Sequence, residues 1–219
     1  IRTFVKNVNE ALPQLAICSG DITDRPANSF AVFQNIWNTI DPQVRKEVTL
    51  GNHDVTLVTH DFCATELGYD DRPLICGSKF NQSFSLTKND IAVRVIMVDT
   101  NINDSGEHEH SAVGHLQSDA LEWLETEINS ANEKLILIFG HHGPHLYPAT
   151  FEESEVLELQ SIVDSAVASN PEKRVVFCFG HTHYGGFIRY SNLGNLKGIL
   201  GAACVDYNPG HYTIINITP

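Results

Sequence analysis

Two stretches of this chain, LILIF at 135–139 and VVFCF at 175–179, set five apolar residues in a row and then stop at glycine. Apolar runs that short and continuous read as strands buried within a sheet. The residues after each glycine narrow the possibilities further: His141-His142 after the first, and His181-Thr182-His183 after the second. Two earlier runs repeat the arrangement. LAICS (15–19) leads to Gly20-Asp21, and VTL (48–50) leads to Gly51-Asn52-His53-Asp54. In open α/β sheets, ligands bind outside the carboxyl ends of the strands. Four strand ends therefore present oxygen and imidazole donors toward one crevice. Each glycine allows the sharp turn that aims the next side chain.

The segments between these strands carry helical periods. Residues 1–12 place Ile1, Val5, Val8 and Leu12 on one face. Asn28-Ser29 is a cap candidate for a helix over 30–40 with Phe30, Phe33, Trp37 and Ile40 inward. Residues 115–129 turn Leu116, Ala120, Leu124 and Ile128 inward, and residues 152–168 do so with Val156, Leu159, Val163 and Val167. Phe84–Leu86, the turn KND and the run IAVRVIMVDT predict a strand, a turn and a long strand. Residues 56–80 read as irregular, with Cys63 and Cys76 as candidates for pairing; with no cysteine framework visible, reduced thiols are the expectation for all five. The tail, FIRY, KGILGAACVD and HYTIINI, predicts antiparallel strands separated by Gly and Asn turns. Strands alternate with helices over the first 180 residues and strands alone finish the chain. That predicts a mixed α/β domain with an antiparallel edge.

Charge excludes some partners. Against 27 Asp and Glu stand 14 Lys and Arg, a net charge of −13, and such a surface repels nucleic acid polymers and anionic membranes. No apolar stretch approaches the roughly 18 residues of a membrane span. No secretory apolar segment opens these residues. The donors at the four strand ends are oxygen and nitrogen without Cys, a set that suits Mn, Fe, Zn or Co rather than a structural zinc knot. Asn52, His141, His181 and His183 are neutral ligands, and only Asp21 subtracts charge. Two divalent ions held there would make a positive well in an acidic protein, and phosphate oxyanions fit such a well. A single histidine at a strand end reads as a hydrogen-bonded core residue; four matching junctions favour a metal site. Glu152-Glu153, and Glu107 with Glu109, read as a solvated face. His108 and His110 read as a solvent loop, with an active-site rim as the alternative; Asp99 reads as a structural acceptor, and Asp24 as a brace for the Asp21 turn. His60, His145 and His211 receive no role. No G-x-S-x-G elbow or Walker loop occurs.

Gly20-Asp21-Ile22-Thr23-Asp24, Gly51-Asn52-His53-Asp54, Gly140-His141-His142 and Gly180-His181-Thr182-His183, in this order, resemble the calcineurin-like metallophosphoesterase family. The likeness spans residues 15–185 and extends to the tail. The run from Gly114-His115-Leu116 to Trp123-Leu124 resembles a helix common in cyclic-nucleotide phosphodiesterase-like and acid-phosphatase-like members. The resemblance implies an α/β fold of two packed mixed sheets flanked by helices, a four-layer αββα sandwich, with a dinuclear centre between the sheet ends. It also implies roles. Asp21 would bridge two divalent ions; Asn52, His141 and His181 would hold one, and His183 the other. His53 would contact the leaving oxygen or the developing phosphorane charge, oriented by Asp54. His142, one position further from the strand, would act behind the ligands or on the substrate. Members also carry an Asp-x-His motif at the end of an earlier strand. Residues 1–20 contain neither Asp nor His, so the expectation is one domain lacking its first strand, with the native chain continuing upstream of Ile1. The implied reaction is hydrolysis of a small phosphoester, diesters favoured over monoesters. Two metals would clamp the phosphoryl group and a metal-bound hydroxide would attack phosphorus in line. A non-catalytic scaffold of the same fold is the alternative.

Overall fold

Side chains alternate along the central strands, and the alternation sorts the core into three layers. The computed structural model describes residues 1–23, 29–56, 58–103, 105–108, 110–144, 150–183, 186–188, 193–200 and 212–218. Its elements run α1 (Arg2–Ala11), β1 (Leu15–Ser19), α2 (Ser29–Trp37), β2 (Arg45–Thr49), α3 (His60–Leu67), β3 (Gln82–Lys88) and β4 (Ile91–Met97). They continue with α4 (Ser118–Ser130), β5 (Leu135–Phe139), α5 (Glu153–Ser169), β6 (Arg174–Phe179), β7 (Gly186–Ile188) and β8 (Leu196–Leu200). β1 and β2 form a parallel pair, and the other six strands form a second sheet in the order β3-β4-β5-β6-β8-β7.

Along β4, Val93, Val95 and Met97 face Leu15 and Ile17 of β1, together with Leu137 and Phe139 of β5 and Cys178 of β6. This is the seam between the two sheets. The intervening residues, Ile96, Ile138 and Phe177 among them, face the other way and pack under α4 and α5. On the far side of the small sheet, Ala16 and Val48 pack beneath Val5 and Val8 of α1, Phe30, Phe33 and Trp37 of α2, and Cys63, Ala64 and Leu67 of α3. The layers are thus helix, sheet, sheet, helix. The large sheet is mixed: β4, β5, β6 and β8 are mutually parallel, while β3 and β7 are antiparallel edges. Asn89 and Asp90 both take positive φ, 50° and 64°, the conformation a two-residue hairpin needs.

Two expectations are revised. Residues 56–80 are not wholly irregular, because α3 lies within them. Its buried face, His60, Cys63, Ala64 and Leu67, has helical spacing, but His, Cys and Ala do not read as an apolar stripe. Thr59 caps it by accepting the N–H of Phe62, and Gly68 ends it in the left-handed region at φ 73°. Cys63 and Cys76 are free thiols, in keeping with the expectation of reduced cysteines. In the tail, β8 runs parallel to β6 and antiparallel only to β7, and residues 212–218 carry no strand. Asp24, Asn28, Glu109, His145, Cys204 and His211 lie outside the described residues. Among the described residues, no helix is long and apolar enough to cross a membrane.

Candidate metal centre

β1, β2, β5 and β6 end at one edge of the two sheets, and the turns after them meet there. The approach leaves no room for side chains at the glycines. A Cβ at Gly20 would lie 2.5 Å from the Gly51 nitrogen and 2.6 Å from His141 Nδ1. One at Gly51 would lie 2.2 Å from both the backbone nitrogen and Oδ1 of Asp21. Glycine is thus what lets the first two turns close on each other. Three of the turn residues, Asp21, His181 and His183, take positive φ values of 51°, 65° and 60°. Non-glycine residues rarely adopt this region, and such strain collects at functional sites.

His141 is the hub. It is buried, 1% exposed, and its Nδ1 lies 2.7 Å from the carbonyl oxygen of Ser19. That bond places the Nδ1 proton and turns Nε2 inward. Around Nε2 stand Asn52 Oδ1 at 3.2 Å, His181 Nδ1 at 3.2 Å and Asp21 Oδ2 at 3.3 Å. Atoms from four separate turns thus gather at one imidazole nitrogen. Ligand bonds of about 2.1 Å hold neighbouring donor atoms roughly 3.0–3.4 Å apart, and each of these three distances to Nε2 lies in that range. The electrostatics agree. Burial disfavours charge on His141, but hydrogen bonding to Asp21, that carboxylate's charge and the Ser19 carbonyl together raise its pKa. Burial likewise opposes ionisation of Asp21, yet His141 and the His53 N–H hold its carboxyl down at about 2. A position that draws a proton toward an imidazole flanked by a carboxylate suits a metal cation in the proton's place. His181 goes the other way: burial and the neighbouring His141 push it down to about 4, leaving it neutral and able to ligate.

The other expected residues surround this hub. His53 is half-buried, and its backbone N–H donates to Asp21 Oδ1 at 3.1 Å. Asp54 is fully buried and accepts the N–H groups of Gly51 and Thr23, each at 2.9 Å. Burial and the charge of Asp21 push it up to about 7 against those bonds. The resemblance implies that Asp54 orients His53; its observed bonds tie the β1 turn to the β2 turn. His183 is exposed at the end of the turn that begins with His181, close enough for its charge to act on that ring. His142 comes within ligand reach of His141 and His181, with one nitrogen of each inside 4.8 Å of the others. Both its nitrogens are engaged, however. Nδ1 meets Thr100 Oγ1 at 2.8 Å and Nε2 meets the Ser111 carbonyl at 3.2 Å. Burial, then the neighbouring His141 and His181, hold its pKa well below the usual range.

A second cluster went unread in the sequence. His60, Asp99 and His108 also bring one donor atom each within 4.8 Å of the others. Asp99, buried at the end of β4, accepts from Ser78 Oγ at 2.8 Å and from the N–H of Asn101 at 3.0 Å, and it meets His108 Nε2 at 3.1 Å. Its reading as a structural acceptor fits these bonds. The solvent-loop reading fails for His108, which is half-buried against Asp99. Only the strand-end position of Asp99 signals this cluster; His60 sits on the helix the sequence concealed.

Residues 1–185 match the model of the family described as calcineurin-like phosphoesterase. Over 173 residues the chain is 26% identical to the "Probable glycerophosphodiester phosphodiesterase GpdQ" of Arcobacter nitrofigilis, covering 78% of this chain and 57% of that protein. The chain thus spans little more than half the length of that relative. A dimetal phosphatase from Danio rerio shares the fold with a TM-score of 0.65 at 16% identity, over 92% of this chain and 76% of the other. GAP50, described as the anchor in the inner membrane complex of Plasmodium, aligns with a TM-score of 0.55 at 12% identity, over 91% and 64% of the respective chains. Likeness at such identities concerns the fold.

Proposed function

Because the chain belongs to the calcineurin-like phosphoesterase family, we propose that it hydrolyses small phosphoesters, diesters in preference to monoesters, at a two-metal centre built on the His141 hub. The observation that carries this reading is the meeting of Asp21, Asn52 and His181 around His141 Nε2 at 3.2–3.3 Å. Asn52, His141 and His181 would hold one ion, His183 would serve the second, and Asp21 would be shared. Mn, Fe, Zn and Co all suit these donors. Bound divalent cations would neutralise phosphoryl charge and lower the pKa of water from 15.7 toward about 7.

The chain's own residues do the rest. The Ser19 carbonyl fixes the His141 tautomer, and the Gly20–Gly51 contact sets the spacing of Asp21 and Asn52. His53, anchored through its own N–H to Asp21, holds an imidazole at the rim, where it donates a proton to the departing oxygen. The preference for diesters is supported by the similarity to a glycerophosphodiester phosphodiesterase.

The test is hydrolysis of bis-p-nitrophenyl phosphate and p-nitrophenyl phosphate by the purified chain with Mn²⁺, after stripping with a chelator and after metal return. Metal-dependent turnover, faster on the diester, is the expected result. No turnover of either ester with metal bound would leave the scaffold alternative in place.

A further inference from the structure

The geometry points to His110 as a second substrate-facing imidazole beside His53, set in place by the pairing of His108 with Asp99. The inference rests on the phosphoesterase reading above and adds a residue that neither the motifs nor the ligand hub supplies.

Residues 110–114 cross the mouth of the histidine cluster and touch it repeatedly. The Ser111 carbonyl meets His142 Nε2 at 3.2 Å, and the Ala112 backbone bonds to His181. Gly114 lies so close to His142 that a Cβ there would come within 2.5 Å of the ring. On this same segment His110 is exposed, and its ring meets His53 edge to face, with centroids 5.1 Å apart and planes at 79°. His53 in turn is bonded to Asp21. Two imidazoles therefore stand together where the ligand cluster opens to solvent. An imidazole offers an N–H donor for a phosphoryl oxygen and adds no negative charge to a chain already at −13.

The anchor of the segment lies just before it. His108 Nε2 meets Asp99 Oδ2 at 3.1 Å, and its ring stacks on His60 at 4.3 Å between centroids. Asp99 is held by Ser78 and by both the backbone and side-chain N–H groups of Asn101. Ser78 also meets His60 Nε2 at 3.0 Å. Ile102 bridges to His108, and Asn103 donates to the Glu107 carbonyl at 2.9 Å, which closes the loop at its base. His108 is accordingly a positioning residue and His110 the residue that meets substrate.

Wild type, His110→Ala, His110→Gln and His108→Ala are compared for kcat and KM on bis-p-nitrophenyl phosphate with Mn²⁺. Inhibition by inorganic phosphate, metal content and thermal midpoint are measured alongside. His110→Ala should raise KM and the phosphate inhibition constant about tenfold, with metal content and midpoint unchanged because the ring is exposed. His110→Gln, which keeps an N–H donor, should recover part of that loss. His108→Ala should raise KM in the same direction with kcat less affected. A wild type that hydrolyses the ester beside a His110→Ala enzyme within twofold of it overturns the role of His110 and leaves the phosphoesterase reading intact. Loss of metal or of thermal stability in His110→Ala overturns it in favour of a structural role. A wild type without metal-dependent turnover removes both.

Discussion

The carboxylate of Asp54 accepts the backbone N–H of Thr23 at 2.9 Å, across 31 residues of sequence. Its other oxygen accepts Gly51 N–H at the same distance. One buried side chain thus holds together the turns that carry Asp21 and Asn52. The hub around His141 is accordingly a property of the backbone as much as of the donor side chains. Glycines permit the approach, and Asp54 locks it.

Asp54→Ala should therefore act on the whole centre. It strands two buried N–H groups, at about 1–3 kcal/mol each, and frees the two turns to separate. The expected result is a urea midpoint lowered in step with that loss and a metal affinity weaker by about 10- to 100-fold, as for other groups that orient ligands. Unchanged unfolding and metal content with turnover alone diminished would mean that Asp54 acts through His53 instead.

His53→Ala separates chemistry from assembly. The bond to Asp21 uses the His53 backbone N–H, which alanine retains. Metal content and stability should stay near wild type while kcat falls about 10²–10³-fold, the size of effect seen when a proton donor or charge-stabilising group is removed. Metal analysis beside single-turnover rates decides it; a metal-poor His53→Ala protein would place His53 among the ligands.

Much of this centre is legible in the chain because strand, glycine and donor are adjacent in sequence. Asp21, Asn52, His141 and His181 each follow a glycine that ends an apolar run, and the four meet. The fold class is equally open to view, since uninterrupted runs such as LILIF can only be buried. Less legible is whatever depends on side chains meeting across loops. The face of α3 is carried by His60, Cys63 and Ala64, residues that do not mark a stripe. The grip of Asp99 on His108 joins a strand end to a polar loop with no periodic signal at all. The bonds of Asp54 to Gly51 and Thr23 depend on where the turns fold back, which residue types alone do not specify.

Buried thiols give an independent check on the packing between the layers. Burial pushes Cys178, in the seam between the sheets, up to about 12. Burial, then the charges of Asp54 and Asp99, does the same for Cys63. At pH 8 each should form thiolate about a thousandfold less than an ordinary thiol, since the thiolate is the reactive form. Iodoacetamide should leave both unmodified in the native protein and label both in guanidinium, read by peptide mass spectrometry. Labelling of Cys178 within minutes under native conditions would mean that the sheets do not pack as described.

The His60–Asp99–His108 network should give the protein an acid limb of its own. Burial lowers the pKa of His60; the charges of Asp99 and Asp61 oppose the shift, and those of His108 and Lys79 add to it. The unfolded chain takes up a proton there near pH 6.5 that the native state refuses, so stability present above that pH is lost as pH falls below it. Asp99 shifts downward as well. Burial works against its ionisation, but the hydrogen bond and charge of His108, the charge of His60 and the Asn101 N–H outweigh it. Its contribution is complete above about pH 4, where the unfolded carboxyl is ionised, and is lost as pH falls toward the native value. Both signs agree: acid destabilises, first through His60 and then through Asp99. Urea unfolding from pH 7.5 to 3 should show the midpoint falling in two stages. Asp99→Asn should be less stable by about 1–3 kcal/mol at pH 7, because His108 and Ser78 lose a charged acceptor, yet should show a shallower decline below pH 4. An Asp99→Asn protein whose acid limb parallels that of wild type would show that the carboxylate is not the group titrating there.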